Sequence, residues 1–263
     1  MARRRLDAEL VRRGLAASHA EAQEAIRAGL VTVAGAPATH AAFLVAPDQS
    51  LRISAEVRPF ASRAGVKLRA ALDRFQVDPA GLACLDAGAS TGGFTDCLLR
   101  AGAARVTAVD VGYGQLAWEL REDPRVTVFE RTNVRDLSPS MLGVEPDLVV
   151  ADLSFISLRT VLPALAGVAS RDATFIVLVK PQFEAGAGGA PGGVVRDPAV
   201  WRRVLDGTAA AFERAKIPPL DVMASPLTGP AGNVEFLLHA RRGGTSQAPD
   251  IGAAVAEAKE LVA

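Results

Sequence analysis

The apolar positions change period between Leu82 and Phe94. Leu82-Ala83-Cys84-Leu85 is a short continuous apolar run, as in a strand buried on both faces. It reaches Asp86 and gives way to Gly88-Ala89-Ser90-Thr91-Gly92-Gly93, after which an amphipathic segment opens at Phe94. Strand, tight turn, helix is the reading. Apolar runs recur at Arg105–Val109, Arg125–Phe129, Asp147–Ala151, Ala173–Val179, Leu220–Ala224 and Asn233–Ala240. Helical spacing separates them around Leu116–Leu120, at Ser157–Ala169 and at Ala199–Ala215, and a helix from Ser62 stacks Leu68, Ala71, Leu72 and Phe75 on one face. The alternation predicts an α/β domain with a mainly parallel seven-stranded sheet and helices on both faces.

Upstream the elements are shorter. Leu6, Leu10 and Val11 mark a helix stopped by Gly14. Ser18 and Glu21 form a capping box for a second helix through Ala22, Ala25 and Ile26, stopped by Gly29. Leu30–Val33 and parts of Phe43–Ile53 are strand-like. The pattern predicts a small α+β module over residues 1–57 with little core of its own. A linker follows at 58–61, then the α/β domain at 62–242. Residues 243–263 form a C-terminal extension with a short helix at Ile251–Val262.

Charge changes this picture only locally. The 263 residues carry 29 Lys+Arg and 29 Asp+Glu, but residues 1–76 hold 12 of the former and 7 of the latter, a balance of +5. That end suits an anionic partner or is a solvated charged surface. Cys84 and Cys97 read as small core residues, with no sign of a disulfide scaffold or a metal site. No apolar run approaches the roughly 20 residues that span a bilayer, and no signal peptide is evident, so a soluble cytoplasmic chain is expected.

The glycine stretch fits neither G-x-G-x-x-G nor a P-loop. An acid before the turn and small polar residues within it suit an amino-acid-bearing nucleoside such as S-adenosylmethionine, or simply an ordinary βα connection. Open parallel sheets bind ligands beyond the carboxyl ends of their strands, where Gly88, Asp110, Asp152 and Lys180 all fall. Asp110, ending the second strand, is placed to accept from a ribose diol. If the last strand runs antiparallel, Glu235 reaches the same edge, and Lys67 approaches from the helix before the sheet. Two lysines and two acids suit methylation of an alcohol, with a lysine as base; separately, each also fits a surface salt bridge. The glycine-rich 181–198 stretch is a candidate lid or a plain loop.

These residues carry a family resemblance. Lys67, Asp152, Lys180 and Glu235 resemble the tetrad of RrmJ/FtsJ-type ribose 2′-O-methyltransferases. Ser62-Arg63, LDAGASTGGFT, DVGYGQLAW, DLVVADLSFISL, LVKPQFE and GNVE resemble the TlyA family of ribosomal RNA methyltransferases, also labelled haemolysins. The front, from Arg5-Leu6-Asp7 to Gly35, resembles an S4 RNA-binding domain. The resemblance implies methyl transfer from S-adenosylmethionine to the 2′-hydroxyl of cytidine in 16S RNA, 23S RNA or both, within ribosomal subunits, affecting capreomycin and viomycin sensitivity. It implies cofactor contacts at Gly88, Ser90, Thr91, Gly93, Phe94, Asp110 and Val111. RNA contacts would fall at Arg3, Arg4, Arg5, Arg12, Arg13, Arg27, Arg63, Arg131 and Arg135. Arg58-Pro59-Phe60-Ala61 departs from the R-x-W-V linker of mycobacterial members. Asp152-Leu153-Ser154-Phe155 lacks the paired prolines of amino-group methyltransferases. A non-catalytic RNA-binding protein and a membrane-active haemolysin are the competing classes.

Overall fold

The computed structural model describes residues 3–27, 30–38, 40–53, 60–186, 191–245 and 248–262. The chain divides into two compact units, Met1–Pro59 and Phe60–Ala263.

In the first unit, strand β1 (Arg4–Arg5) leads into helix α1 (Leu6–Arg12) and helix α2 (His19–Arg27). Strands β2 (Val31–Val33), β3 (Ala36–Pro37), β4 (Leu44–Val45) and β5 (Leu51–Ile53) follow. Ser18 Oγ accepts from Glu21 N at 3.1 Å, and the Glu21 carboxylate reaches back to Ala17 N at 2.6 Å, so the capping box closes one residue early. β2 pairs antiparallel with β3 and β5, and β1 with β4. Contrary to the sequence expectation, the unit has a core of its own. Leu6, Leu10, Ala22, Ile26, Val31, Val33, Val45 and Leu51 are all buried together.

The second unit opens with α3 (Arg63–Phe75), β6 (Ala83–Ala87), α4 (Gly93–Arg100), β7 (Arg105–Val109), α5 (Trp118–Arg121) and β8 (Val126–Phe129). It continues through α6 (Pro139–Leu142), β9 (Leu148–Ala151), α7 (Leu158–Val168), β10 (Thr174–Val179) and α8 (Pro181–Glu184). It ends with α9 (Pro198–Arg214), β11 (Pro219–Ala224), β12 (Phe236–Arg241) and α10 (Ile251–Val262). Ser62, Ser157 and Asp197 cap α3, α7 and α9 by accepting from the N–H two residues on. The seven-stranded sheet runs β11-β12-β10-β9-β6-β7-β8, with β12 antiparallel to both its neighbours and the remaining pairs parallel.

The strands separate two cores. Val149, Phe175 and Val177 pack with α7, α9 and α10, whereas Val150, Ile176 and Leu178 pack with α3 and α4. The chain leaves β6 toward β7 and β8 and later returns to its other side with β9, so the strand order reverses between β6 and β9. Such a switch point opens a crevice at the strands' carboxyl ends.

Phe60 and Ala61, expected in the linker, are docked on the second unit. Ala61 N donates to Asp96 Oδ2 at 2.8 Å, and the Arg100 guanidinium lies 5.5 Å from the Phe60 ring centre. Arg58 and Pro59 lie outside the described residues.

Candidate active site

The pleat gathers the chemistry. Side chains alternate across a strand, so continuing each strand past its end predicts which face the next residue takes. By that parity Asp110, Asp152, Lys180 and Glu235 all take the face covered by α3 and α4, where α3 itself carries Lys67. Val179 and Phe236 are the last partners of the β10–β12 ladder, so Lys180 and Glu235 are the next positions along it.

Two ion pairs result. Lys67 Nζ donates to Glu235 Oε2 at 2.5 Å, and the residues are 7% and 2% exposed. Lys180 Nζ lies 2.6 Å from Asp152 Oδ1 and donates to Ser154 Oγ at 2.9 Å. Asp152 Oδ1 is in charge contact without hydrogen-bond alignment. The Phe183 ring centre lies 6.0 Å from the same ammonium. Gly229 leaves room for the first pair, since a Cβ there would stand 2.6 Å from Glu235 Oε1.

Beside the second pair lies a cleft of about 510 Å³. Gly88, Ser90, Asp110, Val111, Arg135, Asp152, Ser154 and Phe155 are among the residues lining it. Gly88 has φ +89°, and a Cβ on it would stand 2.3 Å from the Asp152 carbonyl oxygen; only glycine fits this crossing at the switch point. The Asp110 carboxylate accepts from Ser90 N at 2.8 Å and Gly112 N at 2.7 Å, which ties the glycine turn to the next loop. Beneath the turn, Asp86 is fully buried. Burial pushes its carboxyl up to about 7, against a hydrogen bond from Thr95 Oγ1 at 2.7 Å, and its Oδ1 has no partner.

Of the other expected cofactor contacts, Thr91 is exposed, Gly93 begins α4, and Phe94 is buried in the α3/α4 core. None of their side chains lines the cleft, because the helix begun at Gly93 turns Phe94 into the core. Ser90, Phe155 and Arg131 adopt left-handed backbone, with φ of 48°, 63° and 52°. Such strain persists where surrounding structure holds it, typically at sites.

The arginines differ among themselves. Arg5 forks onto Asp7 at 3.1 and 2.8 Å, and Arg12 onto Glu9 at 2.8 and 2.6 Å. Arg13 also reaches Glu9 and binds the carbonyls of Ala46, Pro47 and Gln49, which makes it a brace for that loop. Arg3 and Arg4 are exposed, with no ion pair among the described residues; the Arg27 side chain lies outside them. Arg63 donates to the Thr228 carbonyl, Arg135 to Asn133 Oδ1, and the Arg131 guanidinium sits 4.2 Å over the Tyr113 ring centre.

Sequence reasoning missed Ser154 and Asn233. Asn233 Oδ1 accepts from Val195 N at 2.9 Å, and its Nδ2 donates to the Gly193 carbonyl at 2.9 Å. Val195 is itself core, and Trp201 Nε1 donates to its carbonyl at 3.0 Å. The later part of the 181–198 stretch is therefore anchored rather than lid-like; residues 187–190 lie outside the described ones. Both stood inside motifs already quoted, Asn233 in GNVE and Ser154 in ADLSF, but no role was read for either.

Residues 60–242 match the FtsJ-like methyltransferase family, and residues 4–51 match the S4 domain. The chain is 56% identical over 244 residues to the 16S/23S rRNA (cytidine-2′-O)-methyltransferase TlyA of Mycobacterium tuberculosis, spanning 92% of this chain and 91% of that protein. It is 36% identical to Hemolysin A of Brachyspira hyodysenteriae, over 89% of this chain and 98% of that protein. A solved structure from Streptococcus thermophilus, described as a candidate hemolysin, matches with a TM-score of 0.78 and 35% identity, over 100% of this chain and 98% of that one. No helix among the described residues is long and apolar enough to cross a membrane. With two domain matches in the same order and that identity over nearly the full length of both proteins, the chain belongs to the TlyA family of S4-domain, FtsJ-like methyltransferases.

Proposed function

We propose that the protein methylates the ribose 2′-hydroxyl of cytidine in ribosomal RNA, with S-adenosylmethionine as methyl donor. The observation that carries the reading is the Lys180 ammonium, held by Asp152 and Ser154, two residues that also line the cleft under the glycine turn.

The residues present fit the cofactor. The cleft's volume lies within the roughly 300–1,000 Å³ of small-molecule sites. The glycine turn leaves no Cβ at Gly88, and Ser90 and the Asp110 carboxylate line the same cleft. Gly88 and Ser90 would hold the amino-acid portion, Asp110 the ribose diol, and Val111 the base. When bound, S-adenosylmethionine supplies an electrophilic methyl group.

The chain's own residues do the rest. A ribose hydroxyl must lose its proton as its oxygen is alkylated, and Lys180 as the free amine accepts that proton. The ammonium so formed is the state that Asp152 and Ser154 are placed to stabilise. The Lys67–Glu235 pair fixes the neighbouring rim and keeps the first position of β12 in register with β10. Arg3, Arg4, Arg63, Arg131 and Arg135 supply phosphate contacts, which position RNA without reading sequence. Arg5 and Arg12 keep exposed donors for the same purpose.

The test is tritium transfer from labelled cofactor into RNA of isolated 30S and 50S subunits. Lys180→Ala abolishes transfer while cofactor binding is retained. Lys180→Arg does not rescue, because a guanidinium does not give up its proton. Wild-type transfer by Lys180→Ala would remove the lysine from the base role. Expressed in a host lacking this methylation, the active chain raises capreomycin and viomycin sensitivity and Lys180→Ala does not.

A further inference from the structure

Glu184 is a buried carboxylate that the chemistry above does not use. It ends α8, the single turn that follows Lys180, and is 6% exposed. Its Oε2 accepts from Ser157 Oγ at 2.6 Å and lies 3.4 Å from Arg159 Nε. Its Oε1 accepts from Leu158 N at 2.6 Å, and Arg159 Nη2 donates to the Glu184 carbonyl at 2.8 Å. A carboxylate on the first turn of the 11-residue α7 meets free N–H groups and the positive end of the helix dipole.

Two chain segments are laced together here. One is 152–159, which carries Asp152, Ser154 and Phe155 before entering α7. The other is 180–184. Their rungs follow in order. Lys180 meets Asp152 and Ser154; the Phe183 and Phe155 rings lie 5.1 Å apart; Glu184 holds Ser157, Leu158 and Arg159. The first rungs are shielded on one side only: the Lys180 and Asp152 side chains are 11% and 18% exposed, but Ser154 is exposed, and Phe155 is 90% exposed on left-handed backbone. The loop thus has little burial of its own near the chemistry. Within the Glu184 rung the carboxylate side chain is 3% exposed and its bond from Leu158 N is buried, where hydrogen bonds to a charged acceptor are strongest.

We infer that Glu184 is a positioning residue for methyl transfer: it pins the 152–159 loop to the Lys180 turn, so that the Lys180 amine meets Asp152 and Ser154 at the edge of the cleft. The inference rests on the proposed role of Lys180. The Lys180 turn and the loop come from different strands, β10 and β9, and beyond the last β9–β10 partners only side chains set their spacing.

The experiment compares Glu184→Ala, Glu184→Gln and Lys180→Ala in single-turnover transfer to ribosomal subunits. Rates are taken per folded molecule, counted by the stoichiometry of bound S-adenosylhomocysteine, well below the unfolding midpoint. Glu184→Ala lowers the saturating rate about thirty-fold with the cofactor KM within about two-fold, the scale of a catalytic group displaced by a fraction of an ångström. Glu184→Gln, which keeps an acceptor for Leu158 N and a polar partner for Ser157, recovers most of that rate. Should Glu184→Ala unfold, Ser157→Ala removes the 2.6 Å bond together with the α7 cap on Arg159 N and shows the same split to a smaller extent, while Ser157→Asn, which keeps a capping acceptor, separates loss of the cap from loss of the Glu184 bond. A rate per folded molecule unchanged in Glu184→Ala, or in Ser157→Ala where that stands in, overturns the inference, as does a loss traced wholly to the folded fraction. Lys180→Ala separates the two ideas: if it is inactive while Glu184→Ala is fully active, the base assignment stands and the positioning role falls. If Lys180→Ala is active, the reading beneath both falls.

Discussion

Lys67 and Glu235 make the sharpest quantitative case. Their ammonium and carboxylate meet at 2.5 Å with 7% and 2% of the residues exposed, 168 positions apart in sequence. Exposed pairs contribute about 0–1 kcal/mol. Removing one partner of a buried pair instead leaves a stranded charge and costs about 3–5 kcal/mol. Lys67→Met and Glu235→Met are each expected near the lower end of that range, since each strands the partner's buried charge. The double variant Lys67→Met/Glu235→Met removes both charges and keeps two unbranched side chains. Its cost is expected to fall below the sum of the single changes by roughly 2 kcal/mol, the coupling of residues in direct contact. With total stability on the order of 5–15 kcal/mol, the variants stay folded in native buffer, and urea titration at constant m measures each step. Single costs below about 1 kcal/mol, or a double cost additive within about 0.5 kcal/mol, would refute the claim that burial makes this pair strong.

Other perturbations test separate links. Gly88→Ala forces a Cβ to 2.3 Å from the Asp152 carbonyl oxygen at a φ that costs about 1–2 kcal/mol by itself, so calorimetry should show cofactor binding weakened at least about ten-fold. Unaltered affinity would mean that the turn does not border the cofactor. Gly229→Ala pushes Glu235 Oε1 aside without a left-handed backbone to strain, and should cut methyl transfer while shifting the urea midpoint little; wild-type turnover would show that Glu235 can move freely. Asp86 has a folded pKa raised to about 7, above the roughly 3.9 of an unfolded aspartate, so its stabilising share is full below about pH 4 and is lost as pH rises through 7. Asp86→Asn should flatten that fall in urea midpoints between pH 4 and 8, and parallel curves for the two proteins would contradict the burial argument.

The sheet was legible because its strands are buried on both faces and read as uninterrupted apolar runs, as in Phe175–Val179. The site was legible for a related reason. Asp110, Asp152 and Lys180 each sit one position beyond such a run, and the pleat's parity assigns them a common face. Short elements were less legible. α5 covers only Trp118–Arg121, although helical spacing began at Leu116, because Thr91 and Asp110 draw the preceding loop back to the glycine turn. Asn233 stood in the quoted GNVE motif, but its role was not readable there. Its partners are the Val195 N–H and the Gly193 carbonyl, and backbone partners leave no mark in side-chain pattern.

The amino-terminal module shows where counting charge falls short. Its acids offset its arginines in the count, yet Asp7 and Glu9 are buried while Arg5 and Arg12 keep about half of their side chains in water. Hydrogen bonds from those guanidiniums hold both carboxyls well below the ordinary range, so both stay ionised wherever RNA is stable. A guanidinium has five N–H donors, and a fork onto one carboxylate uses two. The acids therefore do not silence the arginines; they set the angle at which the remaining donors face solvent, with less side-chain entropy left to lose if, as proposed, those donors take an RNA phosphate. Arg13, at 21% side-chain exposure and committed to three carbonyls, is the exception, and replacing it should loosen the loop at 46–49 before it weakens any RNA contact.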